Sequence, residues 1–330
     1  MDRFKVFRIH AADGKVRAGF EQASLEELSA GEVVIRVAFS SINYKDALAA
    51  TAAGKILRTS PLIGGIDLSG RVESSTDPRF APGDSVLVTG SGLSETRDGG
   101  YAEYARVPAD AVISLPQGLD LRTAMGVGTA GFAAALGIHK MELLGLTPGH
   151  KPVVVTGASG GVGTLAIDML SARGHEVVAV SGKASLDDYL RALGATRILR
   201  RQEIDFGTRP LERALWAGAI DNVGGAVLAW LTRTVDMNGS IASIGLAGGA
   251  DLNTTVMPFI LRGVNIVGVN SSATERELRV ALWRRIATDL KPRHFDQVIT
   301  REIEFDELPG AFEDYVGNRI HGRTIVRVGA

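Results

Sequence analysis

Hydrophobic positions along this chain follow one rhythm up to about residue 120 and another beyond residue 150. In the first stretch, β-rich runs at residues 4–10, 33–40, 67–72 and 85–89 are cut by Gly14, Gly31, Gly70, Pro82-Gly83 and Gly99-Gly100. Such punctuation predicts short antiparallel strands. Between the second and third runs lies Ser40-Ser41-Ile42-Asn43-Tyr44-Lys45-Asp46-Ala47, a polar strand exit entering a short helix. Asp120 stands where an N-cap belongs, ahead of a predicted Ala/Gly-rich helix over 121–144 that Gly145 and Pro148-Gly149 end.

From Lys151 the rhythm becomes strand, helix, strand, helix. Strands are predicted at 153–156, 176–181, 197–199, 217–221, 239–244 and 264–269, and helices at 161–173, 187–193, 211–216, 227–235 and 257–262. Alternation at that spacing calls for parallel strands with crossover helices, a doubly wound sheet. A helix over 275–290 precedes β-like segments at 296–303 and 322–328, so the tail is expected to return to the first domain. The fold class is α/β: a doubly wound parallel sheet over 121–290, plus a mainly antiparallel β domain built from 1–120 and 291–330.

Composition narrows the chemistry. Apolar residues make up 45% of the 330 and charged residues 22%, with a formal net charge of −1. No global basic excess favours nucleic acid or a membrane surface as partner, so any anion site must be local. With no cysteine, disulfides, cysteine nucleophiles and thiolate zinc sites are excluded. The six histidines are scattered, and no metal site is expected. The start, MDRFKVFRIH, carries charges throughout and lacks a signal-peptide core; a cytoplasmic address is expected. Residues 127–138 form the longest apolar stretch, too short and too rich in Gly and Ala for a membrane span, and are read as a buried helix.

The candidate chemistry begins at KPVVVTGASGGVG, residues 151–163. A strand, a glycine turn and a helix in that order form a dinucleotide-binding unit, whose helix N-terminus holds a pyrophosphate. Ala158 replaces the leading glycine of G-x-G-x-x-G. Ser159 and the N–H groups of Gly160, Gly161 and Val162 are the candidate phosphate donors. Binders of the unphosphorylated dinucleotide usually carry Asp or Glu at the tip of the next strand. Here that tip reads Ser181-Gly182-Lys183. A hydroxyl and an ammonium suit a 2′-phosphate, and Arg201 after the following strand could add a guanidinium, so NADPH is favoured over NADH. Gly245-Leu246-Ala247-Gly248-Gly249 is placed to cover the nicotinamide side, and Asn270 and Ser271 to meet its carboxamide. In the polar stretch, Asn43 and Asp46 are equally suited to capping the helix, and Tyr44 to packing in a core.

Together the strings GASGGVG, SSINYKDALA, GTAGFAAA, AIDNVGG, GLAGG and TTVMPFILRGV resemble the zinc-free quinone-oxidoreductase branch of the medium-chain dehydrogenase/reductase superfamily. VSGK, PLERALWAGAIDNVG and NRIHGRTIV are similar, more closely, to the bacterial NADPH-dependent acryloyl-CoA reductases. The resemblance implies a GroES-like β domain beside a Rossmann domain. It also implies NADPH contacts at Tyr44, Thr129, Ser159 to Val162, Ser181 to Lys183, Arg201, Leu246, Ile260, Ser271 and Asn318.

The activity so implied is reduction of the C=C bond of a small α,β-unsaturated acyl-CoA. Hydride goes to the β-carbon and a proton to the α-carbon, with Tyr44 and Asn43 as candidate catalytic residues. Reduction of quinones or 2-alkenals is the alternative, and a non-enzymatic NADPH-binding protein a further one. The superfamily habit of pairing the last Rossmann strand, here Asn265 to Asn270, implies a homodimer. Both ligands are expected to meet in a cleft between the domains.

Overall fold

Apolar runs of three to six residues, each followed by a glycine turn, leave little choice but buried parallel strands in the middle of the chain. The computed structural model describes residues 3–329 and divides them into two units. One comprises residues up to Thr129 with Ser272–Arg284 and the segment from Ile299 onward; the other comprises Ala130–Ser271 and Arg285–Val298.

The second unit contains six parallel strands: Val153–Val155, Val177–Ser181, Arg197–Arg200, Trp216–Asp221, Val235–Ser243 and Asn265–Gly268. Counted along the chain, their spatial order is 3-2-1-4-5-6. Strand order therefore reverses between the first and fourth strands, the point where such sheets bind dinucleotides. Val154, Val178, Trp216, Ile241 and Leu231 lie in its core. The expected helix over 211–216 is absent, and Trp216 instead opens a strand. The backbone donors ahead of it bond to the end of helix Gly225–Thr234 instead: Glu212 N–H donates to the Arg233 carbonyl at 3.1 Å and Leu215 N–H to that of Thr234 at 2.7 Å. A buried Trp216 ring anchors the segment to the sheet.

The first unit is built mainly of antiparallel pairs. Its larger sheet runs Ile299–Glu304, Arg323–Arg327, Val33–Ile42, Asp67–Ser75, Ser85–Thr89, Ile113–Ser114, and Tyr104–Val107 also pairs with Val33–Ile42. A smaller sheet places Phe4–Ala12 between Lys15–Ala23 and Leu62–Ile63. The tail contributes more than the expected strands. Residues 296–298, expected as β, lie in the short helix Phe295–Val298, and Leu308–Val316 is helical. Helix Tyr44–Ala50 packs on Leu308–Val316, in a core of Phe7, Ala47, Phe312 and Tyr315.

Asp120 caps the helix Leu121–Leu143 reciprocally: Thr123 N–H donates to its carboxylate at 2.7 Å, and Asp120 N–H to the Thr123 hydroxyl at 3.0 Å. That helix is long and apolar enough to cross a membrane, yet 78% of its apolar window is buried in the fold. It is also broken, for Gly128 takes φ 50° and ψ −158°. The positive φ favours glycine, and a Cβ there would lie 2.7 Å from the Arg323 guanidinium.

Candidate active site

Each unit carries one half of the candidate chemistry. In the nucleotide-binding unit, Ser159 to Val162 form the turn after the first strand, and Gly160 is the N-cap of helix Gly161–Ala172 with no side chain capping it. First-turn N–H groups thus face outward, as a pyrophosphate requires. Gly163 explains how the helix lies so close: a Cβ there would sit 2.7 Å from the Ala158 Cα. On the fourth strand, buried Asp221 accepts from the Thr156 hydroxyl at 2.6 Å and from the Gly224 N–H at 2.9 Å. Burial raises the Asp221 carboxyl above its ordinary value. Asn222 donates to the Thr156 carbonyl at 2.8 Å, while its own buried Oδ1 has no partner. These bonds brace the two strand ends at the reversal point, a role that the string AIDNVGG alone did not disclose.

Ser181 ends the second strand and is buried; its hydroxyl accepts from the Lys183 N–H at 3.1 Å. Burial lowers the Lys183 ammonium from its ordinary value. On the neighbouring strand Arg200 lies opposite Ser181, with its guanidinium on Asp187. Arg201 is the exposed next residue, and Gln202 approaches Gly182 to 3.1 Å of where a Cβ would stand. No carboxylate stands at the strand tip itself; Asp187 opens the helix that follows and is paired with Arg200. Sequence reasoning missed Arg200, Asp187 and Gln202; strand register was the needed signal. Leu246 and Ile260 are exposed at 67% and 71%. The 245–249 turn is tied to the end of the fourth strand by Gly245 N–H on the Asp221 carbonyl at 3.2 Å, and to the residues beyond it by Gly248 N–H on the Val223 carbonyl at 2.7 Å. Ser271 is half-buried beyond Asn265–Gly268.

In the β-rich unit, Asn43 and Tyr44 open the short helix. Tyr44 is 52% exposed, with its phenol presented outward rather than packed in the core. Asn43 is 9% exposed and fully engaged. Its Nδ2 donates to Asp67 at 2.8 Å, and its Oδ1 accepts from Arg323 at 3.1 Å. Asp67 also accepts from the Ser41 hydroxyl at 2.7 Å, and from the N–H and hydroxyl of Thr129. Arg323 donates to Ser41 Oγ at 2.8 Å and to the Gly126 and Ile42 carbonyls. Asp46 accepts from Asn43 N–H at 2.8 Å and Ile66 N–H at 2.9 Å. Burial, with the Asp67 carboxylate beside it, pushes Asp46 up to about 7.

Two acids and one guanidinium thus share a buried site, and burial beside a second carboxylate disfavours the charged form of Asp46. The structure joins Asn43 and Thr129 through Asp67, so both side chains are spent on holding Tyr44's helix start and the Gly128 break. Asn318 stands just past helix Leu308–Val316, exposed, at φ 53°.

Residues 29–117 match the alcohol dehydrogenase GroES-like domain family, and 161–288 the zinc-binding dehydrogenase family. Acrylyl-CoA reductase AcuI of Ruegeria pomeroyi is 46% identical over 318 residues, 96% of both chains. The chain belongs to the medium-chain dehydrogenase/reductase family. Within it, the chain falls in the acrylyl-CoA reductase and quinone oxidoreductase group. The crystal structure of YhdH from Escherichia coli K-12 with bound NADPH superposes at a TM-score of 0.94, with 47% identity over 98% of this chain and 100% of that one. YhfP of Bacillus subtilis, provisionally named a quinone oxidoreductase, is 48% identical over 92% of this chain and 93% of its own. Its crystal structure has NAD bound. The zinc in one family's description finds no donors here: the chain has no cysteine, and no group of three or more His, Asp or Glu suited to a metal exists among the described residues.

Proposed function

We propose that this oxidoreductase of the medium-chain family reduces the C=C bond of a small α,β-unsaturated acyl-CoA with NADPH, converting acryloyl-CoA to propanoyl-CoA. One observation carries the reading. Full-length similarity to an acrylyl-CoA reductase coincides with a phosphate-binding turn whose neighbouring strand tip is Ser181-Gly182-Lys183. NADPH, when bound, supplies the hydride for the β-carbon. The chain's task is the rest. The uncapped helix at Gly161 holds the pyrophosphate, and Ser181, Lys183 and Arg201 favour the 2′-phosphate.

Hydride arrival at the β-carbon leaves negative charge on the thioester oxygen, and a positioned donor lowers that barrier. Tyr44 supplies the donor, and the Asn43–Asp67–Arg323 network fixes the helix start that carries it. Asn43 acts by positioning, since both ends of its amide are engaged. Leu246, Ile260, Ser271 and Asn318 remain proposed cofactor contacts. A homodimer in the cytoplasm completes the reading: Asn265–Gly268 is the edge strand of its sheet, and exposed Val256, Met257 and Leu261 lie on the segment before it.

Acryloyl-CoA, acrolein and a benzoquinone assayed side by side with NADPH test the reading. Acryloyl-CoA is expected to give the highest kcat/KM by at least tenfold. Preference for the quinone would favour the second reading, which the name of the Bacillus relative supports.

A further inference from the structure

A cluster of basic side chains in the β-rich unit lies beside the Tyr44 helix. After the Tyr44 helix ends, the chain turns back beside it: Gly54 N–H donates to the Leu48 carbonyl at 3.3 Å, and Arg58 N–H to the Glu95 carbonyl at 2.7 Å. Beside this return lies an open, solvent-facing cleft of about 380 Å³ lined by Lys45, Lys55, Ile56, Leu57, Arg58 and Glu95, within the ~300–1,000 Å³ usual for small-molecule sites. Three cations face one carboxylate. Glu95 holds the Lys45 ammonium at the cavity and lies 4.0 Å from Nε of Arg58, whose side chain is exposed. Ile56 and Leu57 pack on the same core cluster as Ala47 and Ala49 of the helix, so the apolar floor is fixed to the element that presents Tyr44. That helix has seven residues, a length of ~10 Å. The larger cavity of the unit, about 630 Å³, differs in kind. Its Arg276 and Arg279 donate to the carbonyls of Ala109, Asp110, Val112, Thr89 and Thr274, and so hold loops together.

We propose that the cavity beside the Tyr44 helix binds the phosphorylated nucleotide end of the acyl-CoA substrate, with Lys45, Lys55 and Arg58 on its phosphates and Ile56 and Leu57 under its apolar surface. The inference rests on the enoyl-CoA reading and deepens it, since a quinone or an alkenal has no group for such a site. A pyrophosphate and a phosphomonoester need several cations around a half-apolar floor, and the excess of two positive charges supplies them. Glu95 gives the site selectivity: it repels an anion that does not reach Lys55 and Arg58 together.

The test compares acryloyl-CoA with S-acryloyl-N-acetylcysteamine, a thioester with the same reacting end and no phosphate, at saturating NADPH. Lys55→Ala, Arg58→Ala and the double variant are used because both side chains are exposed and their loss leaves the core intact. The ratio of kcat/KM for the two thioesters is expected to fall about tenfold in each single variant and further in the double, chiefly through KM for acryloyl-CoA. Adenosine 3′,5′-bisphosphate is expected to compete with acryloyl-CoA on the wild type and to lose at least tenfold in potency on the double variant. A ratio and a competition unmoved by all three substitutions, in an enzyme that reduces both thioesters, overturn the nucleotide site alone. A wild type that reduces neither thioester overturns the enoyl-CoA reading, and this inference with it.

Discussion

At the scale of single residues, the consequential fact is that Asn43 and Tyr44, neighbours in sequence, have opposite surroundings. Tyr44 is exposed at the helix start, whereas Asn43 is locked between Asp67 and Arg323. Tyr44→Phe removes only a hydroxyl, so steady-state kinetics are expected to show kcat lowered by about tenfold or more with KM for NADPH held within about twofold. Unchanged kcat removes Tyr44 from the chemistry.

Asp46 makes a pH prediction. Its carboxyl has an ordinary value of 3.8 and is pushed up to about 7 by burial and by Asp67. Between those values the folded chain keeps a proton that the unfolded chain has released. The contribution is therefore full below pH ~4 and is lost as pH rises through about 7. Urea midpoints measured from pH 5 to 8 are expected to fall in the wild type, and to fall less in Asp46→Asn. Little of this network was legible beforehand. The polar character of Ser41, Asn43 and Asp46 was visible because they are local, but Arg323 lies 280 residues from Asn43 and nothing in its neighbourhood marks it as buried.

Elements were legible where burial imposes a period. The parallel strands stood out as apolar runs with glycine after them; their order, with the fourth strand returning beside the first, is a tertiary feature that no local pattern carries. Lys15–Ala23 was missed because that hairpin strand is half-exposed, with Lys15, Arg17 and Glu21 diluting the alternation. Helix Leu308–Val316 was missed because Pro309 and Gly310 read as breakers, although proline in a first turn starts a helix. Residues 211–216 carry a helical period, and tertiary hydrogen bonds to Arg233 and Thr234 override it. The tip of the second strand yields a prediction at this scale. Lys183→Ala is expected to raise KM for NADPH about tenfold and to leave KM for NADH within about twofold, measured with each cofactor at saturating acceptor. Equal changes for both would place Lys183 away from the 2′-phosphate.

For the whole molecule, two units divide the labour of the proposed reaction: one has an uncapped helix start at a strand-order reversal, the other an exposed phenol beside a buried hydrogen-bonded network. Composition foretold only part of this. A net charge of −1 excluded a global basic surface and gave no hint of the local excess at Lys45, Lys55 and Arg58. The edge strand Asn265–Gly268 belongs to this scale as well. Sedimentation equilibrium is expected to return a dimer at micromolar concentration, and a concentration-independent monomer would refute the proposed pairing.

The central claim is hydride transfer to the β-carbon of an enoyl-CoA. NADPH carrying deuterium at the transferable C4 position, turned over with acryloyl-CoA, tests it most directly. The account predicts propanoyl-CoA with one deuterium at C3 and none at C2. Deuterium at C2, or no label in any acyl product while a quinone consumes the cofactor, would contradict it.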